Sequence, residues 1–138
     1  MKRNRNQNTC IRNCRDEQQI SRCRKRVDDL KGNVSEFTTI LQLAGNAVRM
    51  NILVLLEDEK RLCVCDLSEI LNMTIPAVSQ HLKKLKNADL VDTEREGNTI
   101  YYYINHKYKR VLDTLLANVL EPMVCLLYTS DAADEVLG

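Results

Sequence analysis

The chain of 138 residues has no tryptophan, one phenylalanine, two prolines, four glycines and two histidines. So few glycines leave no loop of the kind that cradles phosphates. Neither a carboxylate pair nor a nucleophile–base constellation can be found, so the chain is not expected to be an enzyme. No apolar run approaches the roughly 20 residues needed to span a bilayer, and no membrane association is expected. The opening Met1-Lys2-Arg3-Asn4-Arg5-Asn6 is polar with no apolar segment behind it. It does not read as a secretory signal, and a cytoplasmic location is expected. Aromatic residues make up only 4%, and four of the five tyrosines fall at 101–103 and 108. There they read as sheet and core rather than as a platform for stacking bases.

What is present is globular: 44% hydrophobic and 28% charged residues, enough for one modest core. The net charge of +1 is unevenly spread. Residues 1–31 carry ten Lys/Arg against four acids, a basic arm of the sort that approaches phosphates. Six cysteines stand at 10, 14, 23, 63, 65 and 125. In a reducing cytosol, clustered thiols read first as metal ligands or redox sensors rather than as a disulfide framework. The end, Cys125-Leu126-Leu127-Tyr128-Thr129-Ser130-Asp131-Ala132-Ala133-Asp134-Glu135, looks like the translation of a transposase adapter. Residues 125–138 of the 122–138 tail are therefore expected to be non-native. Without their three acids, twenty Lys/Arg face sixteen Asp/Glu, or +4 for residues 1–124.

Along the chain, Ile20, Cys23, Val27 and Leu30 fall at helical spacing, and Lys31-Gly32-Asn33 is expected to break that segment. Residues 1–32 thus form a Cys-containing arm and 33–121 a folded domain. Ser35 reads as the cap of a next helix carrying Phe37, Ile40, Leu41 and Ala44, and Gly45-Asn46 punctuates again. Val48, Ile52, Leu53, Leu55 and Leu56 make a strongly apolar helix. Asp66 with Glu69 resembles an N-cap and its reciprocal partner, which starts the following helix near Cys65 or Asp66. Thr74 then caps a helix over 75–87, with Pro76 in its first turn. Ile75, Val78, Leu82 and Leu85 are expected to point inward, with Gln80, Lys83, Lys84 and Asn87 opposite. That polar face, short-chained first and cationic later, suits base edges followed by phosphates.

Residues 90–95 and 99–104 have β character around a turn at Glu96-Gly97-Asn98, a hairpin signal. A helix-turn-helix followed by a hairpin is a winged helix, so the fold class expected is mainly α with a β-hairpin wing. The last helix, over about 107–121, has a wide apolar stripe of Val111, Leu112, Leu115, Leu116, Val119 and Leu120. One small domain does not usually bury so much, so the stripe is expected to form a dimer interface with the 34–44 helix. Ile40, Leu41, Leu112, Leu115, Leu116 and Val119 are the candidates.

Cys63 and Cys65 sit about ten residues before the 75–87 helix, at a helix entrance. Two apart in mid-helix they would lie about 200° around the axis from each other, but at an entrance both can converge on one ion. Thiolates select Cd, Pb, Hg, Zn and, through three sulfurs, As(III). One pair cannot complete a trigonal or tetrahedral shell, so Cys10, Cys14 or Cys23 must contribute. Cys23 would reach only if the arm folds back.

These residues carry a family resemblance. Residues 34–121 resemble the ArsR/SmtB winged-helix metalloregulators through Leu43-Ala44-Gly45-Asn46-Ala47-Val48-Arg49, Leu62-Cys63-Val64-Cys65-Asp66-Leu67, Ser79-Gln80-His81-Leu82 and Glu96-Gly97 before Tyr101-Tyr102. Asn8-Thr9-Cys10-Ile11-Arg12-Asn13-Cys14 is similar to the arm of the cadmium/lead-responsive branch. The resemblance implies a thiolate site shared between the arm of one protomer and the helix of the other. It also implies a homodimeric repressor that binds operator DNA when metal-free and leaves it when metal binds. A second family site on the last helix would need donors where this chain has His106, Tyr108, Val119 and Pro122, and none is expected there. Ser79, Gln80 and Ala77 are the candidates for base edges. Lys83, Lys84, Thr74, Arg95 and Asn98 are candidates for phosphates, and His81 for packing or a phosphate contact. Two other readings stay open: a disulfide switch on the same DNA-binding fold, and a metal-buffering or protein-binding winged helix without an operator.

Overall fold

A computed structural model describes residues 14–121. The chain divides into two compact units, the first ending at Phe37 and the second starting at Thr38. One helix, α1, runs from Glu17 to Ala44. Asp16 opens it by accepting the backbone N–H of Gln19 at 3.0 Å. The expected break at Lys31-Gly32-Asn33 does not occur, and Ser35 lies inside the helix rather than capping one. A Cβ placed on Gly32 would meet nothing within 4 Å. A lone glycine on an open helix face costs only about 1 kcal/mol relative to alanine, too little to stop a helix flanked by good helix formers. The stop comes at Gly45, whose N–H closes on the Leu41 carbonyl at 2.8 Å.

In the second unit, Asn46 caps α2 (Ala47–Glu59), its side-chain oxygen accepting from the N–H groups of Val48 and Arg49 at 2.9 and 3.1 Å. After Lys60, at a positive φ of 77°, comes a strand too short to betray itself by alternation, β1 (Leu62–Cys63). It leads directly into α3 (Val64–Leu71), which Asn72 ends in the left-handed conformation. The helix therefore begins earlier than Asp66. Cys63 holds the N-cap position with no side-chain cap bond, and Asp66 falls in the first turn. Thr74 caps α4 (Ile75–Asn87) as expected, its Oγ1 accepting from Ala77 N–H at 3.3 Å, with Pro76 in the first turn. Val78, Leu82 and Leu85 are fully buried, whereas Ile75 at the helix tip is exposed, contrary to expectation.

The hairpin is β2 (Val91–Glu96) and β3 (Thr99–Ile104), paired antiparallel from Val91 with Ile104 to Glu96 with Thr99. Its loop is Gly97-Asn98, with positive φ (67°) at Gly97, where a type II′ turn requires it. β1 adds to the other edge of β3 through Leu62 with Tyr102 and Cys63 with Tyr101, giving the order β1-β3-β2. A short 3₁₀ turn (His106–Tyr108) precedes α5 (Lys109–Leu120). Ile40, Ala44, Ile52, Leu53, Leu56, Leu67, the α4 trio, Leu90, Val91, Ile104, Tyr108, Leu112 and Leu116 form one continuous core. No single described helix is long and apolar enough to cross a membrane.

Candidate functional site

Two surfaces of the second unit carry chemistry, and β1 joins them. Cys63 is half-buried at the end of β1, its backbone in register with Tyr101 of the wing. Cys65 is exposed in the first turn of α3. Neither is in a disulfide. Two residues before Cys63, Arg61 reaches the wing three ways. Its Nη1 donates to Glu94 Oε2 at 2.6 Å, its Nη2 donates to Glu96, and its guanidinium lies 4.0 Å from the centre of the Tyr101 ring. The hydrogen bonds to the two carboxylates raise the Arg61 pKa further above its ordinary value. Sequence reasoning missed both β1 and this fork. The signal was present: Glu94 and Glu96 are two apart on a strand, which puts them on one face for a single guanidinium to bridge.

The arm thiols are placed differently. Cys14 is exposed just before α1, and Cys23 is exposed in the middle of that unbroken helix. Cys10 lies outside the described residues, as does the 122–138 tail. Among the described residues of one chain, no three His, Cys, Asp or Glu side chains gather into a group able to hold a metal ion. The Cys63/Cys65 pair therefore offers two soft donors at one helix entrance. Any further donor must come from beyond its own neighbourhood.

On α4, Ser79, Gln80, Lys83 and Lys84 are exposed on one face, while Ala77 is half-buried beside them. Lys86 is tied to Asp92 at 3.3 Å, fastening the end of α4 to β2. Thr74 spends its hydroxyl on the helix cap. Arg95 and Asn98 are exposed on the wing, with Arg95 Nη1 donating to the Gly97 carbonyl at 3.3 Å. His81 is half-buried and engaged inside the protomer: Arg49 Nη1 lies 3.2 Å from its Nδ1, and Arg49 Nε donates to the Leu43 carbonyl at 2.7 Å. Burial, then Arg49 and Lys84, lower the His81 pKa, and the Arg49 guanidinium, which can only donate, makes Nδ1 the acceptor in this contact. This contact bolts α4 to α2.

The expected dimer residues separate into two groups. Ile40, Leu112 and Leu116 are buried in the protomer's own core, which corrects their assignment to an interface. Leu41 and Val119 are exposed and Leu115 is half-buried, so the face open to a partner is narrower than the apolar stripe.

This arrangement matches a known class of protein. Residues 46–93, from the cap of α2 to the middle of β2, match the model of the bacterial regulatory protein, arsR family. An arsenical resistance operon repressor from Staphylococcus aureus is 37% identical over 84 residues, 61% of this chain and 77% of its own length. The chain belongs to the ArsR family. The cadmium resistance transcriptional regulatory protein CadC of Listeria innocua is 30% identical over 102 residues, covering 73% of this chain and 83% of that one. Among solved structures, reduced HlyU from Vibrio cholerae superimposes with a TM-score of 0.60 at 30% identity, over 69% of this chain and 98% of its own. The ArsR-family fold here is a winged helix-turn-helix: α3 and α4 are the helix-turn-helix, and β2–β3 is the wing.

Proposed function

We propose that this ArsR-family chain is a homodimeric transcriptional repressor. It binds double-stranded operator DNA when metal-free and releases it when a soft cation (Cd, Pb, Zn or Hg) or As(III) binds its cysteines. The observation that carries the reading is the position of Cys63. It is at once the last residue of the strand paired to the wing and the N-cap of α3, which leads through one turn into α4. A cation drawing Cys63 and Cys65 together would act on both DNA-facing elements without an intervening relay.

Ser79, Gln80 and Ala77 are assigned to base edges, and Lys83 and Lys84 with the wing residues Arg95 and Asn98 to phosphates. Thr74 acts through the cap it forms, and His81 through its contact with Arg49. Cys10 and Cys14, and after them Cys23, are assigned as the arm donors that complete the shell, reaching from the partner protomer. Two reading helices related by a dimer axis would enter successive major grooves about 34 Å apart. A metal favouring the low-affinity form by a few kcal/mol suffices to empty the operator.

Fluorescence anisotropy of the reduced protein on its own promoter DNA, titrated in turn with Cd(II), Pb(II), Hg(II), Zn(II) and arsenite, tests this. Tight metal-free binding is expected, abolished by one of these ions in the native protein but not after Cys63→Ser. Binding that ignores every ion but is lost on mild oxidation would move the thiols to a disulfide switch. Absence of sequence-specific binding would overturn the repressor.

A further inference from the structure

Arg61 grips the wing in a way that the repressor reading does not use. Its side chain crosses the whole sheet. It starts just before β1, lies over Tyr101 on the middle strand and ends on Glu94 and Glu96 of β2, the far strand. Glu96 pairs with Thr99, the last pair before the Gly97-Asn98 loop, so the reach extends to the tip of the wing. β1 itself pairs no further towards the tip than Tyr101. Among the described residues, Arg61 is the one side chain from outside the hairpin that hydrogen-bonds within 94–100. Lys86 fastens the base, at Asp92. A two-stranded hairpin is marginal alone, so whatever ties its tip to the body fixes its direction.

Two features say that this contact sets geometry rather than stability. The side chains of Arg61, Glu94 and Glu96 are 39%, 48% and 65% exposed, and ion pairs so open to solvent contribute little to folding. The chain also bends sharply to deliver the guanidinium. Lys60, next to it, holds φ 77° and ψ −44°, a strained conformation for a residue with a Cβ. Such strain persists where the surrounding contacts over-determine it. Strand alternation puts Arg95 on the face opposite Glu94 and Glu96. The fork therefore holds one side of the wing and leaves Arg95 exposed on the other.

We infer that Arg61 is a positioning residue for DNA recognition. It holds the wing at the angle that brings Arg95 and Asn98 to the phosphate backbone, without touching DNA itself. The inference rests on the DNA-binding half of the repressor reading and needs no metal.

Charge alone gives the opposite sign, which makes the test sharp. Glu94→Thr with Glu96→Thr removes two negative charges from the wing and keeps residue types that suit a strand. Simple attraction to DNA would then grow. With the fork lost, binding should weaken instead.

The test is fluorescence anisotropy of the full, reduced, metal-free chain on its own promoter DNA over a range of salt. We expect affinity about tenfold lower in the double Thr variant, with the salt dependence flatter by about one unit of log–log slope as Arg95 leaves its phosphate. Arg95→Ala should weaken the native chain but add nothing in the double Thr background, where that contact is already gone. Arg61→Lys keeps the charge but cannot fork, and it should lose affinity in the same direction. Unchanged or tighter binding in these variants, or a full further cost of Arg95→Ala in the double Thr chain, would overturn the inference. Amide exchange of the free protein reads the fork without DNA. Residues 95–99 should exchange faster in the double Thr variant while α4 is unchanged, and equal rates would also sink the idea. A native chain that ignores its promoter would instead overturn the repressor reading, and exchange would still decide whether the fork holds the wing.

Discussion

The helix α4 and the stretch of α1 before Ile40 are both amphipathic, yet their apolar residues meet different fates. On α4, Val78, Leu82 and Leu85 are wholly excluded from solvent. Along α1, no described residue before Ile40 is buried. The difference lies in what each helix can reach. The apolar face of α4 packs into the core of the second unit, whereas no described residue of the first unit, which ends at Phe37, belongs to that core. A helical pattern therefore announces that a face needs covering, but not whether the cover belongs to the same molecule.

Substitutions can break or sharpen that contrast. The largest effect is expected at Leu82→Ala. Truncating a fully buried leucine typically costs about 2–5 kcal/mol, and chemical denaturation of the winged domain should show it. Val27→Ala should leave that unfolding transition within about 0.5 kcal/mol, as for a surface site; a cost as large as at Leu82 would mean that the two helices do not differ. Gly32→Ala should then raise the stability of the α1 segment by about 0.5–1 kcal/mol, read as slower amide exchange there, since the added methyl group meets nothing. No gain would restore Lys31-Gly32-Asn33 as a true break. Lys83→Ala probes the α4 face instead. Affinity should fall about equally on all DNA sequences, and the salt dependence should flatten by about one unit of log–log slope.

The smallest effect concerns the bolt between α4 and α2. The folded-state pKa of His81 is depressed below 6.5, so the unfolded chain takes up the proton first as pH falls. Its contribution to stability is complete above about pH 6.5 and is lost as pH drops toward the folded value. Replacing the ring by His81→Gln should flatten the acid limb of a Tm-versus-pH curve in that window; an unchanged curve would show that the Arg49 contact does not govern it.

Much of this architecture was legible from residues alone. Thr74 and Pro76 announced the start of α4, and the spacing of Val78, Leu82 and Leu85 gave its inner face, because caps and periodicity are local signals. Gly97-Asn98 between β-branched and aromatic runs announced the wing for the same reason. Ile75 failed because it occupies the helix tip, where the period still places it inward but the core has ended. β1 failed because two residues carry no alternation. The helix break failed because a glycine's effect depends on what surrounds it, and Gly32 is in the open. Leu112 and Leu116 were assigned outward because a wide stripe can serve a core and an interface together, and only packing divides them. The fork from Arg61 to Glu94 and Glu96 spans more than thirty residues, a distance at which sequence offers pairs but no means of choosing among them.

The brevity of β1 has a consequence for which changes in chain length the molecule can tolerate. Side chains alternate faces along a strand, so Arg61 and Cys63, two apart, share a side of the sheet with Tyr101. Inserting or deleting one residue between them would turn one of the two over, separating the guanidinium from its carboxylates or the thiol from the helix entrance. A long strand absorbs such a slip with a bulge, but a strand of two residues has no room for one. The spacing Arg-x-Cys should therefore resist insertion and deletion more strongly than Leu62 between them resists replacement by another apolar residue.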